Sequence, residues 1–377
     1  MSLAIAGMGW VTPLGNGVAS VYERLRAGER ATAETITSPI HPRRYPVFRV
    51  PAAATAGLPA HPRLRRSSAI SRFAAAAGLA ALDDAQLKLD EATAARTAII
   101  FAIANGGVIY TKRFYHEVVE SGAQSASPLL FPETVFNAPA SHLAAILGIT
   151  GASYTLVGDG AVGVLALKMA EDLLGNSTLD RCLIVGAEEA DWLLCDAYSR
   201  WHLLRADSPV ETFAARPRGT ILSEGAGAIL LESEQRASAR PDSRIEIERI
   251  DAGCNFQRQS EAAGCIDQIF TRLHANEADL VVASANGTFV DAAESSVINR
   301  RAAAAAVLAP KAALGEGVGA ASLWQIICGA EALRTQRLPS FENNSLGKAA
   351  PKKRILDRAV VSACGLNQQV AGVSLIR

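Results

Sequence analysis

The chain contains 377 residues, about two to three times the roughly 150 residues expected of a single domain. Apolar residues make up 49% of the sequence and charged residues 20%, which is typical of a globular protein and argues against a disordered or collagen-like chain. With 37 basic and 37 acidic side chains the net charge is zero, so we expect no overall attraction to nucleic acid or anionic lipid.

Short apolar runs alternate with alanine-rich segments of helical length along the whole sequence. Strands separated by helices are typical of an α/β protein with a buried, largely parallel sheet. The predicted strands are Leu3–Gly7, Thr97–Ala102, Tyr154–Val157, Cys182–Gly186, Ala226–Glu232, Ile245–Ile250, Asp279–Ser284, Ala359–Ser362 and Ala371–Ile376. The predicted helices are Ala19–Ala27, Ala69–Ala85, Thr134–Leu147, Ala161–Leu174, Ala262–His274, Ala292–Val307 and Val318–Thr335.

Targeting and membrane segments are not expected. Met1 leads directly into an apolar run without a basic region or a small-residue cleavage site, which argues against a signal peptide. Polar residues, prolines and glycines interrupt the longest uncharged stretch, between Glu133 and Asp159, so we expect no membrane span. The six cysteines show neither CxxC nor Cys/His spacing. We therefore expect a reduced, soluble, cytoplasmic protein without a bound metal.

A polar stretch, Ser233–Arg244 (SEQRASARPDSR), divides the chain into residues 1–235 and 236–377. Each part consists of strand and helix units that end in a pair of strands. We therefore predict two duplicated α/β halves, although no sequence repeat between them is visible.

A segment without acidic residues lies between Glu34 and Asp83. One interpretation is a solvated, loop-rich flap without a partner; the other is a docking surface for an acidic protein or a phosphate-bearing ligand. His41 and His61, each followed by a proline in this segment, are expected to be exposed. The arginines of the segment are Arg43, Arg44, Arg49, Arg63, Arg65, Arg66 and Arg72.

Several motifs follow one another in a fixed order. Individually they are weak signals, and the opening glycine-rich turn does not have the spacing of a dinucleotide site. The series consists of Gly7–Gly15 (GMGWVTPLG), Ser71-Arg72-Phe73, Asn137–His142 (NAPASH), Leu147–Thr155 (LGITGASYT), Gly160–Leu167, Phe213–Glu232 with ILSEGAGAILLE, Ser284–Glu294 (SANGTFVDAAE), Lys311–Ala321 (KAALGEGVGAA) and Ser362–Ala371.

This series resembles the β-ketoacyl-acyl-carrier-protein synthases of the thiolase fold over nearly the whole chain. The resemblance implies two pseudo-duplicated α/β halves with mixed five-stranded sheets in a layered αβαβα arrangement. It also implies a chemistry in which a cysteine at a strand-to-helix elbow carries the acyl chain as a thioester. Two histidines assist decarboxylation of a malonyl thioester. Backbone N–H groups, one of them from a glycine-rich turn near the C-terminus, bind the oxyanion.

The residues that the resemblance implies for catalysis are replaced here. The family's T-V-x-T-A-C-x-S-G elbow aligns with Thr155–Gly163 (TLVGDGAVG), so that Gly160 stands at the cysteine. A-H-G-T becomes ANGT with Asn286 at the first histidine, and K-x-x-x-G-H becomes KAALGE with Glu316 at the second. The closing G-F-G-G turn becomes GLNQ, which leaves Leu366 at its second position.

Two further positions, Lys311 and Glu294, match the family's lysine and glutamate. Glycine cannot form an acyl-enzyme, asparagine cannot shuttle a proton near neutral pH, and Glu316 adds negative charge where an enolate has to form. The alignment therefore predicts a chain without condensing activity.

Other side chains could take over catalysis or serve as structure. We expect Asp159 to cap the helix that starts near Gly160, but with Glu316 it could also form a carboxylate pair for acid–base work. Cys182, Cys328 and Cys364 are predicted core residues. The other three cysteines, at positions 195, 254 and 265, lie outside the family's motifs. His142 is expected to pack or to hydrogen-bond, and His116, His202 and His274 match no catalytic position.

The resemblance as a whole implies a non-condensing subunit of the chain-length-factor type, which pairs with an active ketosynthase in type II polyketide, aryl-polyene or fatty-acid-like biosynthesis. The implied dimer surface is Asn137–Thr155, and Asp159, Asn137, His142 and Leu366 are candidates for the interface or tunnel wall. No cofactor is expected, since the phosphopantetheine arm of an acidic acyl carrier protein carries the substrate. Arg63, Arg65 and Arg66 are candidates for docking that protein.

Two alternatives stay open at the level of the sequence. One is an active thiolase-fold acyltransferase or hydrolase that uses Asp159 or Glu316. The other, a decarboxylase that keeps its histidines and lacks the cysteine, is weakened because both histidines are replaced. Homodimerisation is the alternative to pairing with a ketosynthase.

Overall fold

The computed structural model describes residues 3–65, 67–176, 178–233, 245–339 and 355–377. Strands and helices alternate as predicted, and every predicted strand is found, with bounds that differ by a few residues. The strands are β1 (Leu3–Thr12), β2 (Gly15–Asn16), β3 (Ala33–Thr37), β4 (Arg44–Phe48), β5 (Thr97–Ile103), β6 (Ser153–Val157), β7 (Arg181–Glu188), β8 (Leu222–Ser223), β9 (Gly225–Ser233), β10 (Ile245–Asn255), β11 (Leu280–Val282), β12 (Ala306–Leu308), β13 (Arg358–Cys364) and β14 (Gln369–Ile376). The helices are α1 (Val18–Arg26), α2 (Ala69–Asp84), α3 (Glu91–Ala95), α4 (Val108–Ser121), α5 (Ala138–Leu147), α6 (Val162–Leu174), α7 (Trp192–Arg200), α8 (Ala262–Arg272), α9 (Phe289–Arg301), α10 (Lys311–Leu314) and α11 (Ala321–Thr335).

The large sheet consists of two halves with the same connectivity. Its strand order is β12-β11-β13-β14-β10-β1-β9-β7-β5-β6, with β2 paired to β1. Read from the outer edge inward, the first half has the order β6-β5-β7-β9-β1 and the second half has the order β12-β11-β13-β14-β10. In both halves the strands follow as third, second, fourth, fifth and first in the chain. The predicted duplication into mixed α/β halves is therefore confirmed. The sheet is less parallel than predicted, because β9, β1, β10 and β14 run antiparallel to their neighbours.

The two halves are joined through the first strand. Leu3–Ile5 of β1 pairs with Ile245–Ile247 of β10 on one side and with Leu231–Ser233 of β9 on the other. The predicted division at residues 235 and 236 lies outside the described residues and stays a prediction.

Helices and sheet halves stack in alternating layers. Helices α2 and α5 cover the outer face of the first half, and α8 and α9 cover the outer face of the second. Helices α6 and α11 lie between the halves and contact strands of both, in the largest apolar cluster. This arrangement confirms the layered αβαβα fold.

The opening glycine-rich motif serves close packing. A Cβ on Gly9 would stand 1.9 Å from the carbonyl oxygen of Ala77, and one on Gly7 would stand 2.2 Å from that of Ala81. Only glycine permits α2 to lie so near to β1. The alanine-rich composition of α2 has the same cause, since its small side chains face this contact.

Some elements differ from the predictions because tertiary pairing overrides local propensity. The helix predicted over Ala292–Val307 is wrong at its end: α9 stops at Arg301, and Ala306–Leu308 pairs in parallel with β11. The helix predicted from Thr134 begins at Ala138, after a short 3₁₀ turn. The small sheet of β3, β4 and β8, and helices α4 and α7, were not predicted.

Candidate functional site

The replaced motif positions lie in loops that meet at one end of the sheet halves. Gly160 lies between β6 and α6, and Asn286 lies between β11 and α9. Glu316 follows α10, and the turn Gly365–Gln368 joins β13 to β14. Asp159 joins the elbow to the closing turn, and a hydrogen bond joins Asn286 to Glu316. Ser284 Oγ links the two pairs of loops, since it accepts from Lys311 Nζ (3.3 Å) and from the N–H of Cys364 (2.9 Å), the residue before the turn. The elbow, both histidine positions and the closing turn are thus brought together as the alignment predicts.

The carboxylate of Asp159 binds the closing turn. Its Oδ1 accepts hydrogen bonds from the backbone N–H groups of Gly160 (2.8 Å) and Leu366 (3.3 Å). Its Oδ2 accepts from Asn367 (2.7 Å) and Gln368 (3.1 Å). The predicted helix cap is therefore wrong: the residue before α6 is Ala161, which makes no side-chain cap, while Asp159 reaches away from the helix toward the turn.

Glycine at position 365 makes this contact possible. A Cβ there would stand only 2.0 Å from Asp159 Oδ2, so any other residue would expel the carboxylate. The elbow itself is also tight, since a Cβ on Gly160 would stand 3.3 Å from Gly365 Cα. The elbow therefore contributes the Asp159 carboxylate to this contact, and the turn contributes Gly365, which has no side chain.

Glu316, at the position aligned with the second histidine, forms a buried ion pair with Lys311, and Asn286, at the first, joins it by a hydrogen bond. Lys311 Nζ lies 2.8 Å from Glu316 Oε2, and both side chains are 2% exposed. Asn286 Nδ2 donates to the same oxygen at 2.7 Å, while Glu316 Oε1 accepts from the N–H of Val318 at 3.0 Å. Because the pair is buried, these hydrogen bonds are required to offset its desolvation.

The predicted carboxylate pair is not formed. The oxygens of Asp159 and Glu316 are bound to different donors, and among the described residues no hydrogen bond joins them. Each oxygen of Asp159 already accepts two hydrogen bonds, so a substrate proton there would break one of them, and Glu316 is 2% exposed and paired with Lys311. The arrangement therefore does not favour either carboxylate as a general base.

Buried acids around Asn286 fix the loops. Glu294 is fully buried and accepts from the N–H of Ser284 at 2.8 Å, and burial raises the pKa of Glu294 to about 7. Asp291 accepts from the N–H groups of Asn286 (2.8 Å) and Gly287 (2.9 Å). Sequence reasoning missed Asp291, although its place three residues after the helix-capping Thr288 is a recognisable helix-start pattern.

A cavity of about 250 Å³ opens beside Asp159. Its walls include Val157, Leu203, Val318 and Leu366, with Tyr198 from α7 and Trp201 directly after that helix. Burial, and then the nearby carboxylates of Asp159, Glu188 and Glu316, raise the pKa of Tyr198, so its phenol keeps its proton. Helix α7 was not predicted from the sequence, and neither were these two aromatic residues of the site.

The remaining interface candidates divide into buried and exposed residues. His142 is buried, and its Nε2 lies 2.6 Å from Glu133 Oε1, which confirms the predicted hydrogen-bonding role. Burial alone would raise the pKa of Glu133. The hydrogen bonds from His142 and Ser68 together outweigh burial and lower this pKa. Asn137 is exposed and precedes α5 without capping it by its side chain.

Beside these residues lies an exposed apolar surface. Strand β6 is at the edge of the sheet, where Tyr154 is 40% and Val157 is 53% exposed. Helix α4 has no buried residue. The exposed large apolar side chains on and next to α4 are Tyr115, Val119, Leu129, Phe131, Val135 and Phe136.

The arginine-rich segment is partly paired. Arg49 forms an ion pair with the buried Glu224 (2.7 Å), and His41 Nε2 lies 2.8 Å from Asp196. His41 is therefore half-buried and not exposed as predicted, because α7 supplies a carboxylate to it; His61 is half-buried too. Arg63 and Arg65 are exposed on a 3₁₀ turn at Pro62–Arg65, while Arg66 lies outside the described residues.

Five of the six cysteines are unsuited to act as a displaced nucleophile. All six are free thiols, and all except the partly buried Cys254 are buried. Burial raises the pKa of Cys182, Cys195, Cys265 and Cys328 to about 12, and that of Cys364 well above its ordinary value. These five thiols are therefore protonated and weakly nucleophilic at neutral pH.

Within the described ranges, no group of His, Cys, Asp and Glu side chains is arranged to hold a metal ion. Among the described helices, none combines the length and apolar character needed to cross a bilayer.

Fold and site together define a thiolase-like α/β protein with ketosynthase topology. Residues 2–237 match the sequence profile of the family described as "Beta-ketoacyl synthase, N-terminal domain". The chain therefore belongs to the beta-ketoacyl synthase family.

Curated relatives are similar over the first part of the chain. "Nodulation protein E" of Rhizobium sp. (strain N33) is 27% identical over 244 residues, and "3-oxoacyl-[acyl-carrier-protein] synthase 2" of Vibrio cholerae is 26% identical over 253 residues. In each case the match covers 63% of this chain and 59% of the relative. The matched region thus spans less than two thirds of these relatives.

Solved structures share the fold over the full length. "The ishigamide ketosynthase/chain length factor" superposes with a TM-score of 0.86 at 21% identity, covering 100% of this chain and 98% of that chain. A beta-ketoacyl synthase from Burkholderia phymatum gives a TM-score of 0.82 at 20% identity, with 100% and 99% covered. A ketosynthase in complex with its chain length factor from Xenorhabdus doucetiae gives 0.78 at 18% identity, with 100% and 98% covered.

Proposed function

We propose that this chain is a non-condensing ketosynthase-like subunit of the chain-length-factor type. It pairs with an active ketosynthase in type II polyketide, aryl-polyene or fatty-acid-like biosynthesis and contributes dimer surface and tunnel wall. The observation that carries the proposal is the elbow: Gly160 offers no nucleophile where the family alignment has its cysteine.

The surroundings of the elbow support the same conclusion. The positions aligned with the histidines hold Asn286 and Glu316, which are engaged with Lys311 in a buried network and face no open space. The five buried cysteines have raised thiol pKa values, which argues against a nucleophile elsewhere in this set. Among the described residues of the elbow, no side chain stands where the family's cysteine attacks a bound thioester.

The partner surface is the exposed edge of the first half. Strand β6 offers an unpaired strand edge, and the apolar side chains of Tyr154, Val157 and Phe136 are 40 to 53% exposed beside it. Exposed apolar patches next to a free sheet edge are typical of association surfaces. An obligate interface of this kind buries on the order of 2,000 Å² or more.

The substrate is carried by a carrier protein in this proposal. The chain needs no resident cofactor, because the phosphopantetheine arm brings the acyl group to the catalytic partner. The proposed docking residues for an acidic carrier protein are Arg63 and Arg65, which are exposed on their 3₁₀ turn, and Arg66, the next residue in the sequence.

The test is a comparison of the chain alone, an active ketosynthase alone and the two together. Each sample is incubated with a reactive acyl thioester and with malonyl-carrier protein, and acyl adducts are measured by intact mass. We expect no adduct on this chain and malonyl consumption only where the ketosynthase is present. A stable adduct on this chain that is needed for turnover, whether on Asp159 or on a cysteine, would overturn the proposal in favour of an active acyltransferase or hydrolase.

A further inference from the structure

The donors around Asp159 have the arrangement of a carboxylate-binding site. Four backbone N–H groups from two distant segments point at one carboxylate, two at each oxygen. Gly160 and Leu366 serve Oδ1, and Asn367 and Gln368 serve Oδ2, at 2.7 to 3.3 Å. Successive backbone N–H groups in a turn form a concave anion site, whatever residue supplies the anion.

The site faces open space. Leu366, Asn367 and Gln368 line the cavity of about 250 Å³, and the side chains of Asn367 and Gln368 are exposed. The missing side chain at Gly365 leaves room for an anion, since a Cβ there would overlap with the present carboxylate oxygen. A small carboxylate that entered from the cavity would therefore find the donors accessible if the Asp159 side chain were removed.

We propose that the N–H groups of Gly160 and of the Leu366–Gln368 turn form a small-carboxylate site, and that Asp159 is its built-in occupant. The tethered carboxylate is present at high effective concentration, so it keeps free carboxylates and the oxygen of a thioester out. This inference deepens the proposed function, because an occupied anion site is a second barrier to acyl transfer besides the missing nucleophile.

The experiment uses the full chain with Asp159→Ala, and Asp172→Ala as a control. Asp172 is an exposed carboxylate on α6 whose removal leaves the turn untouched. Backbone amide exchange of residues 365–369 is followed by mass spectrometry, with and without sodium acetate. We expect exchange in Asp159→Ala to be at least about tenfold faster than in the wild type, and acetate to restore protection. The wild type and Asp172→Ala should not respond to acetate.

Two results would overturn the inference. One is unchanged protection of the turn in Asp159→Ala; the other is fast exchange that acetate does not reduce in a folded variant. If Asp159→Ala does not fold, Gly365→Ala takes its place, because its Cβ has to displace the carboxylate while the charge stays in the chain. Faster exchange of the turn in Gly365→Ala then supports the inference, and wild-type protection contradicts it.

The readout is separate from condensation. Amide exchange of the turn in Asp159→Ala tests the anion site, whereas acyl adducts and malonyl consumption test the proposed function. A chain that forms adducts yet shows the acetate response would refute the function and leave the anion site intact.

Discussion

At the scale of single residues, Gly160 is the position where a cysteine would have to be restored. A cysteine there would meet a tight contact with Gly365, and its N–H would still be bound by the carboxylate of Asp159. Asn286 and Glu316 would still provide no proton shuttle.

We therefore expect Gly160→Cys to condense no faster than the wild type. This should hold even if alkylation of a separate sample by iodoacetamide shows that the new thiol is reactive. Malonyl-carrier consumption in the absence of a ketosynthase measures this, with Gly160→Ala as the control for steric effects. Turnover by Gly160→Cys alone would contradict the interpretation of the histidine positions.

The buried ion pair makes a second residue-scale prediction. Lys311→Met would leave the Glu316 carboxylate without its cation at a site that is 2% exposed. We expect a loss of about 3–5 kcal/mol in the free energy of unfolding, measured by urea denaturation. The matched control is Lys168→Met, which breaks exposed ion pairs on α6 and should cost only about 0–1 kcal/mol. Equal losses of unfolding free energy in the two variants would show that the buried Lys311–Glu316 pair stabilises the fold no more than the exposed pairs of Lys168 do.

Glu188 gives a prediction for pH dependence. It is buried at the end of β7, accepts N–H groups of Ala104 (3.0 Å) and Asn105 (3.2 Å), and burial raises its pKa from an ordinary 4.5 to about 8. Between these two values the folded protein holds a proton that the unfolded chain has released. The free energy of unfolding should therefore fall as the pH rises through this window.

Glu188→Gln removes this contribution, so we expect a flatter dependence of unfolding free energy on pH than in the wild type. The exposed Glu29→Gln should leave the slope as it is. Glu189 and Glu294, whose pKa values burial raises to about 7, add slopes of the same sign in all three proteins. A wild-type slope in Glu188→Gln would contradict the burial argument.

At the scale of elements, the proposed partner surface makes β6 the strand to test for association. A lysine at Tyr154 would place a charge on the exposed face of an edge strand, and such charges oppose edge-to-edge pairing. We expect Tyr154→Lys to lose binding to the partner in sedimentation velocity, with no change in thermal stability of the isolated chain. Ile40→Lys, at an equally apolar exposed position between β3 and β4, is the control and should bind normally. If Tyr154→Lys still binds the partner, the interface does not include the exposed edge of β6.

The 3₁₀ turn at Pro62–Arg65 is the second element with a testable role. Charge reversal at Arg63 and Arg65 should slow association of an acyl carrier protein with the complex, most strongly at low salt, because such steering is screened over roughly 8 Å at physiological ionic strength. Stopped-flow association rates measure this, with Arg258→Glu in the second half as the control. An unchanged rate at low salt would leave the arginines with a solubilising role only.

At the scale of the whole molecule, the sequence was sufficient for the architecture and for the positions of the motif loops. Apolar runs located the predicted strands, most of which are buried, and the exposed edge strand β6 was found by the same apolar pattern. The motif order placed Gly160, Asn286 and Glu316 in one region. It could not predict what their side chains contact: the partner of Asp159 is a turn about 200 residues away in the chain, and no local pattern encodes such a pairing.

Local sequence patterns were misleading where tertiary contacts determine the secondary structure or the partner of a side chain. The alanine run before Val307 favours a helix, yet Ala306–Leu308 joins the sheet because β11 offers an open edge. Helix α7 is only nine residues long and mixes polar and charged side chains with its apolar ones, unlike the long alanine-rich helices that were predicted. Tyr198 and Asp196 were therefore not predicted as partners of the cavity and of His41. The Asp159 cap failed for the same reason, since the distant N–H groups of the turn compete for its carboxylate.

The Leu3–Ile5 segment lies between the last residues of β9 and the first residues of β10 and pairs with both. The large sheet consequently has no seam between its two halves, and the side chain of Leu3 is completely buried there. In protein engineering the duplicated halves are therefore not interchangeable modules. A chimera that takes its second half from another member of the family has to retain the backbone register of these three residues. Recombination at the polar stretch alone would join two halves whose shared strand no longer matches.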